Sequence, residues 1–389
     1  MAHRVQIVKG DTFKLALPVT SCYNADFDGD EMNCHVVQSP CATAELSLLM
    51  SVQANAINPK TSRCSFGLVQ DALLGVHLLT REHICISEEF IANTAVATSA
   101  TSAQAHQQAP PHSFVKGEKP YWSGAEALSL ALPESFSFVS APAPAWVASV
   151  HAALRNWDDT NDDSSMQDFS KLIEASKRPI IVSRGTILLG VLAKKSCGVG
   201  GALIDAIARD CGNAAFIQAV TNLQRVAHAY MKQRGFSVGM RDIVLENAEE
   251  AERKICERLV FAVENASAVL QAGEERPAVR DAAEATTQQI LSRVLAQAAD
   301  VVQQNVSPSN AFLAMSEAGS KGSKLNLSQI SGALGLQIVL GKRAVARQNC
   351  RTLPCFSNGE TSVNAAGFVQ NSYVNGVSPT ELFAVAQSG

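Results

Sequence analysis

The sequence predicts a multidomain α+β protein, and three observations carry that reading. Its 389 residues suffice for two or three domains at a loose prior of about 150 residues each. Its first forty residues alternate apolar and polar positions, Phe13, Leu15 and Leu17 among them, which is the period of short strands. Two Ala/Glu/Val/Leu-rich stretches, about 241–272 and 276–304, are separated by AGEERP, the pattern of two antiparallel helices with a Gly/Pro turn.

Between these landmarks the elements can be placed in order. Leu46, Leu49 and Met50 recur at helical spacing within 42–57, and Asn58-Pro59 stops the pattern. A second helix is expected over about 68–79. Residues 94–119 become Ala/Ser/Thr/Gln/Pro-rich, a low-complexity surface insertion, and structure resumes at Pro120-Tyr121-Trp122. The acidic run Asp158, Asp159, Asp162 and Asp163 sits among Asn and Ser and reads as a solvated loop. PIIVSRGTILLGVLAKK, 179–195, reads as a hairpin turning at Arg184-Gly185. Helical character follows, and glycines return from Gly319. The final SPTELFAVAQS looks like a helix just beginning, which suggests a partner segment elsewhere.

An apolar content of 47% with 17% charged residues is that of an ordinary soluble chain. No stretch approaches the roughly 18 unbroken apolar residues of a membrane span, and MAHRVQIVKG lacks the apolar core of a signal peptide. An intracellular protein with no membrane partner is therefore expected. The ten cysteines form no CxxC pair, so they are expected to be buried free thiols rather than zinc ligands.

A net charge of -4 argues against a free-standing nucleic-acid binder, since phosphate contacts come from a basic surplus. Locally the balance reverses: residues 319–356 hold six basic side chains and no acidic one. Lys321, Lys342, Arg343 and Arg351 are the candidates there for phosphate or partner contacts, against the alternative of a solvated basic face.

The densest chemistry is YNADFDGDEMN, 23–33. Asp26, Asp28 and Asp30 are spaced by two, so an extended chain would put them on one face, and Gly29 lets the backbone turn to converge them. Two carboxylates about 4 Å apart repel by roughly 4 kcal/mol at an effective dielectric of 20. Three need a cation, and oxygen ligands at this density suit Mg²⁺ or Ca²⁺. A calcium loop counted from Asp26 would need Gly and Glu where Glu31 and Val37 stand, so magnesium is the better reading. A solvated Asp/Gly turn is the alternative.

Other motifs fall short. GLQIVLGKR at 335–343 has one residue too many between its glycines for a phosphate loop, and Arg343 stands where Ser or Thr is required. SCGVGG at 196–201 lacks the second half of a dinucleotide turn. His3, His77 and His228 accompany no nucleophile motif.

YNADFDGDEMN resembles the hallmark of the largest subunit of multisubunit DNA-dependent RNA polymerases, of eukaryotic or viral type. Met1 to Ser39 as a whole is similar to that family's approach strand and active-site loop. NPKTSRCSFGLVQDALLGV (58–76), KPYWSG (119–124), LLGVLAKKSCG (188–198), SKGSKLNLSQISGALG (320–335), RTLP (351–354) and GFVQNSYVNGVSPTELF (367–383) follow in the family's order. The resemblance implies that Asp26, Asp28 and Asp30 hold the catalytic Mg²⁺ and that Asn24 lies near the ribose of the incoming nucleotide.

For the fold, the resemblance implies the end of a double-psi β-barrel at 1–45 and a mixed α/β pore domain at 46–215. Funnel helices would occupy 216–320, and a funnel-to-cleft connection with the start of the bridge helix 321–389. The implied reaction is nucleotidyl transfer from ribonucleoside triphosphates to the RNA 3′ end, in assembly with the second-largest subunit, other polymerase subunits and a DNA template. The implied location is the nucleus, or a viral factory or virion.

The sequence departs from the family in several places. The upstream active-site arginine, the zinc-binding clamp, the start of the barrel and the trigger loop are not in it. The usual GQQ, EGKR and RTLPHF stand as Gly335-Leu336-Gln337, Leu340-Gly341-Lys342-Arg343 and RTLPCF. A segment active only when assembled is the expectation; a non-catalytic scaffold or decaying fragment is the alternative.

Overall fold

The computed structural model describes residues 1–81, 84–98, 114–116, 119–140, 179–275, 277–344 and 350–388. The acidic run at 158–163, most of the 94–119 insertion and Arg347 lie outside these residues. The fold is mixed α/β. The chain forms two compact units, Met1–Gly235 with Ala318–Ser320 and Phe236–Glu317 with Lys321–Gly389.

The first unit is built on the long helical stretch Ala202–Arg234, which breaks direction at Gly212 (φ 83°, ψ 169°). Helix Gln70–Thr80, close to the predicted span, packs on it. Gly75 permits the approach, because a Cβ there would lie 2.8 Å from the Ala227 carbonyl oxygen. Phe66 and Phe216 meet beside this crossing with ring centroids 5.0 Å apart.

Two three-stranded antiparallel sheets and the strand pair Ile57–Asn58/Arg63–Cys64 also belong to the unit. In one, Cys85–Ile86 and Phe114–Lys116 flank Lys119–Ser123. In the other, Ile181–Ser183 pairs with Phe138–Val139 and with Thr186–Leu189. The hairpin turns where the sequence indicated: Arg184 and Gly185 both have positive φ, 46° and 74°, as a two-residue turn matched to strand twist requires. Helix Gly124–Ser129 then starts with a capping box between Ser123 and Glu126.

His77 shows how the helix is fastened. Its ring is buried, and Nδ1–H donates to the Leu192 carbonyl at 3.0 Å, while the Leu192 N–H donates to the Thr80 hydroxyl at 2.9 Å. Nε2 is buried and has no partner. Burial above all, with Arg81 adding repulsion, lowers the imidazole to a pKa of about 4 against the opposing Leu192 bond.

The unfolded histidine titrates near 6.5, so the unfolded chain binds more protons as pH falls below that value. This contribution to stability is complete above about pH 6.5 and is lost towards pH 4, roughly 3 kcal/mol in all. Denaturant unfolding of the full chain at pH 7 and pH 4.5 is expected to show the loss, and His77→Gln a flatter pH dependence. Equal slopes in the two proteins would refute it.

In the second unit, helices Ala248–Glu275 and Arg280–Gln304 run antiparallel, joined through Pro277–Val279. Arg258 reaches the Gln297 carbonyl at 2.7 Å, and Gly273 lies against Ala283. Their buried seam is Ala251, Ile255, Leu259, Ala262 and Ala266 on one side and Leu291, Val294, Ala298 and Val301 on the other. Steps of three and four place each set on one helix face. Helices Ala311–Ala318, Lys324–Ser331 and Pro379–Ser388 and the pairs 335–336/368–369 and 338–339/342–343 complete the unit.

Three expectations are corrected. Residues 1–39 contain no strand: the segment is irregular apart from the 3-10 helix Leu17–Tyr23 and a single bridge from Ala2 to Ser51. Phe13, read as part of an alternating strand, is exposed, and the described residues hold no closed barrel. The helix expected over 42–57 ends early, as Pro40–Glu45 followed by a π-helical turn, Leu46–Met50. Asn58, expected as its stop, belongs to strand Ile57–Asn58 and caps the next turn through Lys60 N–H. The ten cysteines are free, but only Cys64 and Cys197 are buried.

Among the described residues no helix is long and apolar enough to cross a membrane.

Candidate metal centre

The acidic loop is launched from the end of the 3-10 helix Leu17–Tyr23. Asn24 closes that helix in the left-handed conformation, φ 48° and ψ 37°, which asparagine tolerates better than most residues. The Asn24 and Ala25 N–H groups donate back to Ser21 and Thr20 at 3.4 and 3.1 Å, and the chain leaves towards solvent.

Backbone bonds then curl the loop on itself. The Asp26 N–H donates to Asp30 Oδ2 at 3.0 Å, and the Asp28 N–H points at Asp26 Oδ1 at 3.5 Å. Gly29 makes the bend at φ 124°, a conformation that side chains other than hydrogen resist. As a result one carboxylate oxygen from each of Asp26, Asp28 and Asp30 lies within 4.8 Å of the others, all exposed. Among the described residues this is the one such group of acidic, His or Cys ligands. The crowding is felt at Asp28, whose carboxyl is raised above the ordinary range by a hydrogen bond shared with Asp26, then by the charges of Asp26 and Asp30.

Beside the loop, Tyr23 OH and His3 Nε2 are 2.5 Å apart. This link between the chain start and the loop has no sequence motif to announce it.

The basic candidates do not behave alike. Lys321 is exposed. Arg343 is buried, with Nε and Nη2 on the two oxygens of Glu284 at 2.9 and 3.1 Å. The sequence reading missed that pair, because 59 residues separate its members. Lys342, Arg343 and Arg351 line one cleft and Lys321 does not. Glu381 was missed too. Burial tends to raise its carboxyl, but bonds from Asn371 and Ser378 outweigh this and hold it below the usual range.

Comparison with known proteins matches three family models along the chain in numerical order. RNA polymerase Rpb1 domain 2 covers residues 1–52, domain 3 residues 55–243 and domain 4 residues 271–369. The chain belongs to the Rpb1 family. It is a segment of an RNA polymerase largest subunit. Similar relatives include "DNA-directed RNA polymerase II subunit RPB1-B" and "subunit RPB1-A" of Trypanosoma brucei brucei. Each is 32% identical over 397 aligned positions that take in the whole chain. The chain spans 20% of the length of either relative. In Rpb1 terms the carboxylate loop falls in domain 2 and Arg343 and Glu284 in domain 4.

Proposed function

We propose that this chain is the part of a DNA-directed RNA polymerase largest subunit that holds the catalytic Mg²⁺, through Asp26, Asp28 and Asp30. The convergence of these three carboxylates within 4.8 Å is the observation that carries the reading. The set suits the ion in chemistry: Mg²⁺ takes oxygen ligands at about 2.0–2.1 Å in an octahedron, whose adjacent corners are roughly 2.9 Å and opposite corners roughly 4.2 Å apart. Closure of the loop from its 4.8 Å spread would bring the oxygens to those spacings, and the raised Asp28 carboxyl marks negative charge that a cation relieves. When bound, the ion supplies charge stabilisation to phosphate oxygens and alignment of the RNA 3′-hydroxyl with a ribonucleoside triphosphate.

The chain's own residues do the positioning. Gly29 sets the turn, the Asp26 N–H holds the Asp30 carboxylate, and Asn24 stands two residues before the triad, where a ribose hydroxyl can be read. In the second unit, exposed Lys321 is a separate candidate for a phosphate or partner contact.

The matches to Rpb1 domains 2 and 3 favour assigning residues 1–45 to the active-site region, where they form no strands of their own, and 46–215 to the pore. The helix pair within 216–320 would belong to the funnel, and 321–389 would lead to the bridge helix. Partners in this reading are the second-largest subunit, other polymerase subunits, template DNA and transcript RNA. Relatives named as RNA polymerase II subunits favour a nuclear location, and they do not bear out the viral alternative.

Mn²⁺ takes the same oxygen ligands and is detected by its resonance signal. The full chain is expected to bind it at this site, and Asp28→Asn to weaken binding at least tenfold, about 1.4 kcal/mol. Unchanged binding would remove the metal assignment and leave the non-catalytic scaffold reading.

A further inference from the structure

We propose that the cleft beside the 338–343 hairpin in the second unit is an oxyanion site for a phosphate-class ligand. The cleft is about 460 Å³. Lys342, Arg343 and Arg351 line it with Leu340, Leu353 and Gln387, and among the described residues no carboxylate lines it. Its strongest feature is Arg343, 6% exposed. Glu284 takes the Nε and Nη2 edge of the guanidinium, and Nη1 is buried without a hydrogen-bond partner.

Glu284 thus occupies one edge of the guanidinium, and the remaining terminal nitrogen is a buried donor that still requires an acceptor. Arg351 places Nη1 on the Pro354 carbonyl at 3.2 Å, one of the five N–H donors an arginine carries. Lys342 is exposed at the mouth. Among the described residues, three cations here meet one paired carboxylate, Glu284.

A phosphoryl group answers this arrangement better than a carboxylate does. It offers three acceptor oxygens in different directions, and arginine forks match phosphate geometry. The apolar wall of Leu340 and Leu353 leaves room for the body of an ester. The site is in the unit that does not contain the carboxylate triad and does not rest on the function proposed for it.

The test is calorimetric titration of the full chain at low salt, where such attraction is least screened. EDTA is present so that no metal bridges the ligand. Inorganic phosphate, pyrophosphate, a nucleoside monophosphate and acetate are the probes. Phosphate-class probes are expected to bind, and Lys342→Gln with Arg351→Gln, which leaves the Arg343–Glu284 pair in place, to weaken them at least tenfold. Asp28→Asn is expected to leave binding unchanged. Binding of phosphate and pyrophosphate alongside the nucleotide identifies a free anion as sufficient ligand; binding of the nucleotide alone identifies a nucleotide ester. No binding of any phosphate probe, acetate binding as tightly as phosphate, or equal affinity in the double variant overturns the proposal.

Discussion

In a polymerase assembled around this chain, Asp28→Asn is expected to lower RNA extension by on the order of a thousandfold, about 4 kcal/mol of transition-state stabilisation. The substitution keeps the side chain's size and removes its charge from the middle of the triad. Asp26 and Asp30 remain tied through the Asp26 N–H, so the loop keeps its curl and only the ligand set changes. Extension by purified wild-type and variant assemblies on one primed template, at saturating triphosphate, is the measurement. A variant that extends RNA at the wild-type rate would show that the triad does not hold the reacting metal.

Gly124→Ala is expected to destabilise the first unit by roughly 3 kcal/mol or more, a fall of about 6–12 °C in its thermal midpoint. Ordinary helix propensity argues for the opposite sign, since alanine within a helix is favoured over glycine by about 1 kcal/mol. Here a Cβ would sit 2.0 Å from the Leu79 carbonyl oxygen and 2.8 Å from its carbon. Those are backbone atoms at the end of helix Gln70–Thr80, whose side chains are buried almost throughout, so neither partner can rotate away. The sign of the change decides the matter. A raised midpoint in a thermal scan would mean that the two segments part without cost.

What the sequence made legible followed from how local each signal is. The hairpin at 181–189 and helix Gln70–Thr80 were readable because turn residues and periodicity sit within the elements themselves. The helix pair was equally plain, since its seam repeats along one face. The opening strands failed for the converse reason: alternation in Phe13, Leu15 and Leu17 shows which face could be buried, but a ladder needs a partner, and no described residue supplies one.

At the candidate site, spacing brought Asp26, Asp28 and Asp30 together correctly, because Gly29 and the loop's own N–H groups do the folding. The basic cluster was another matter. Charge alone placed Lys321 beside Lys342, Arg343 and Arg351, whereas only the last three share a cleft. That Arg343 is half-committed to Glu284 depends on a helix far away in the chain.

Gly29 has a consequence that reaches past the metal. An added Cβ there would meet nothing within 4 Å, so no neighbour forbids a larger residue. What opposes it is handedness: at φ 124° an L-residue's Cβ is strained however much space surrounds it. The position therefore asks for a backbone handedness rather than for a particular size or polarity. A mirror-image residue introduced by chemical synthesis belongs naturally to that half of conformational space, one that ribosomal translation reaches at this point through glycine alone.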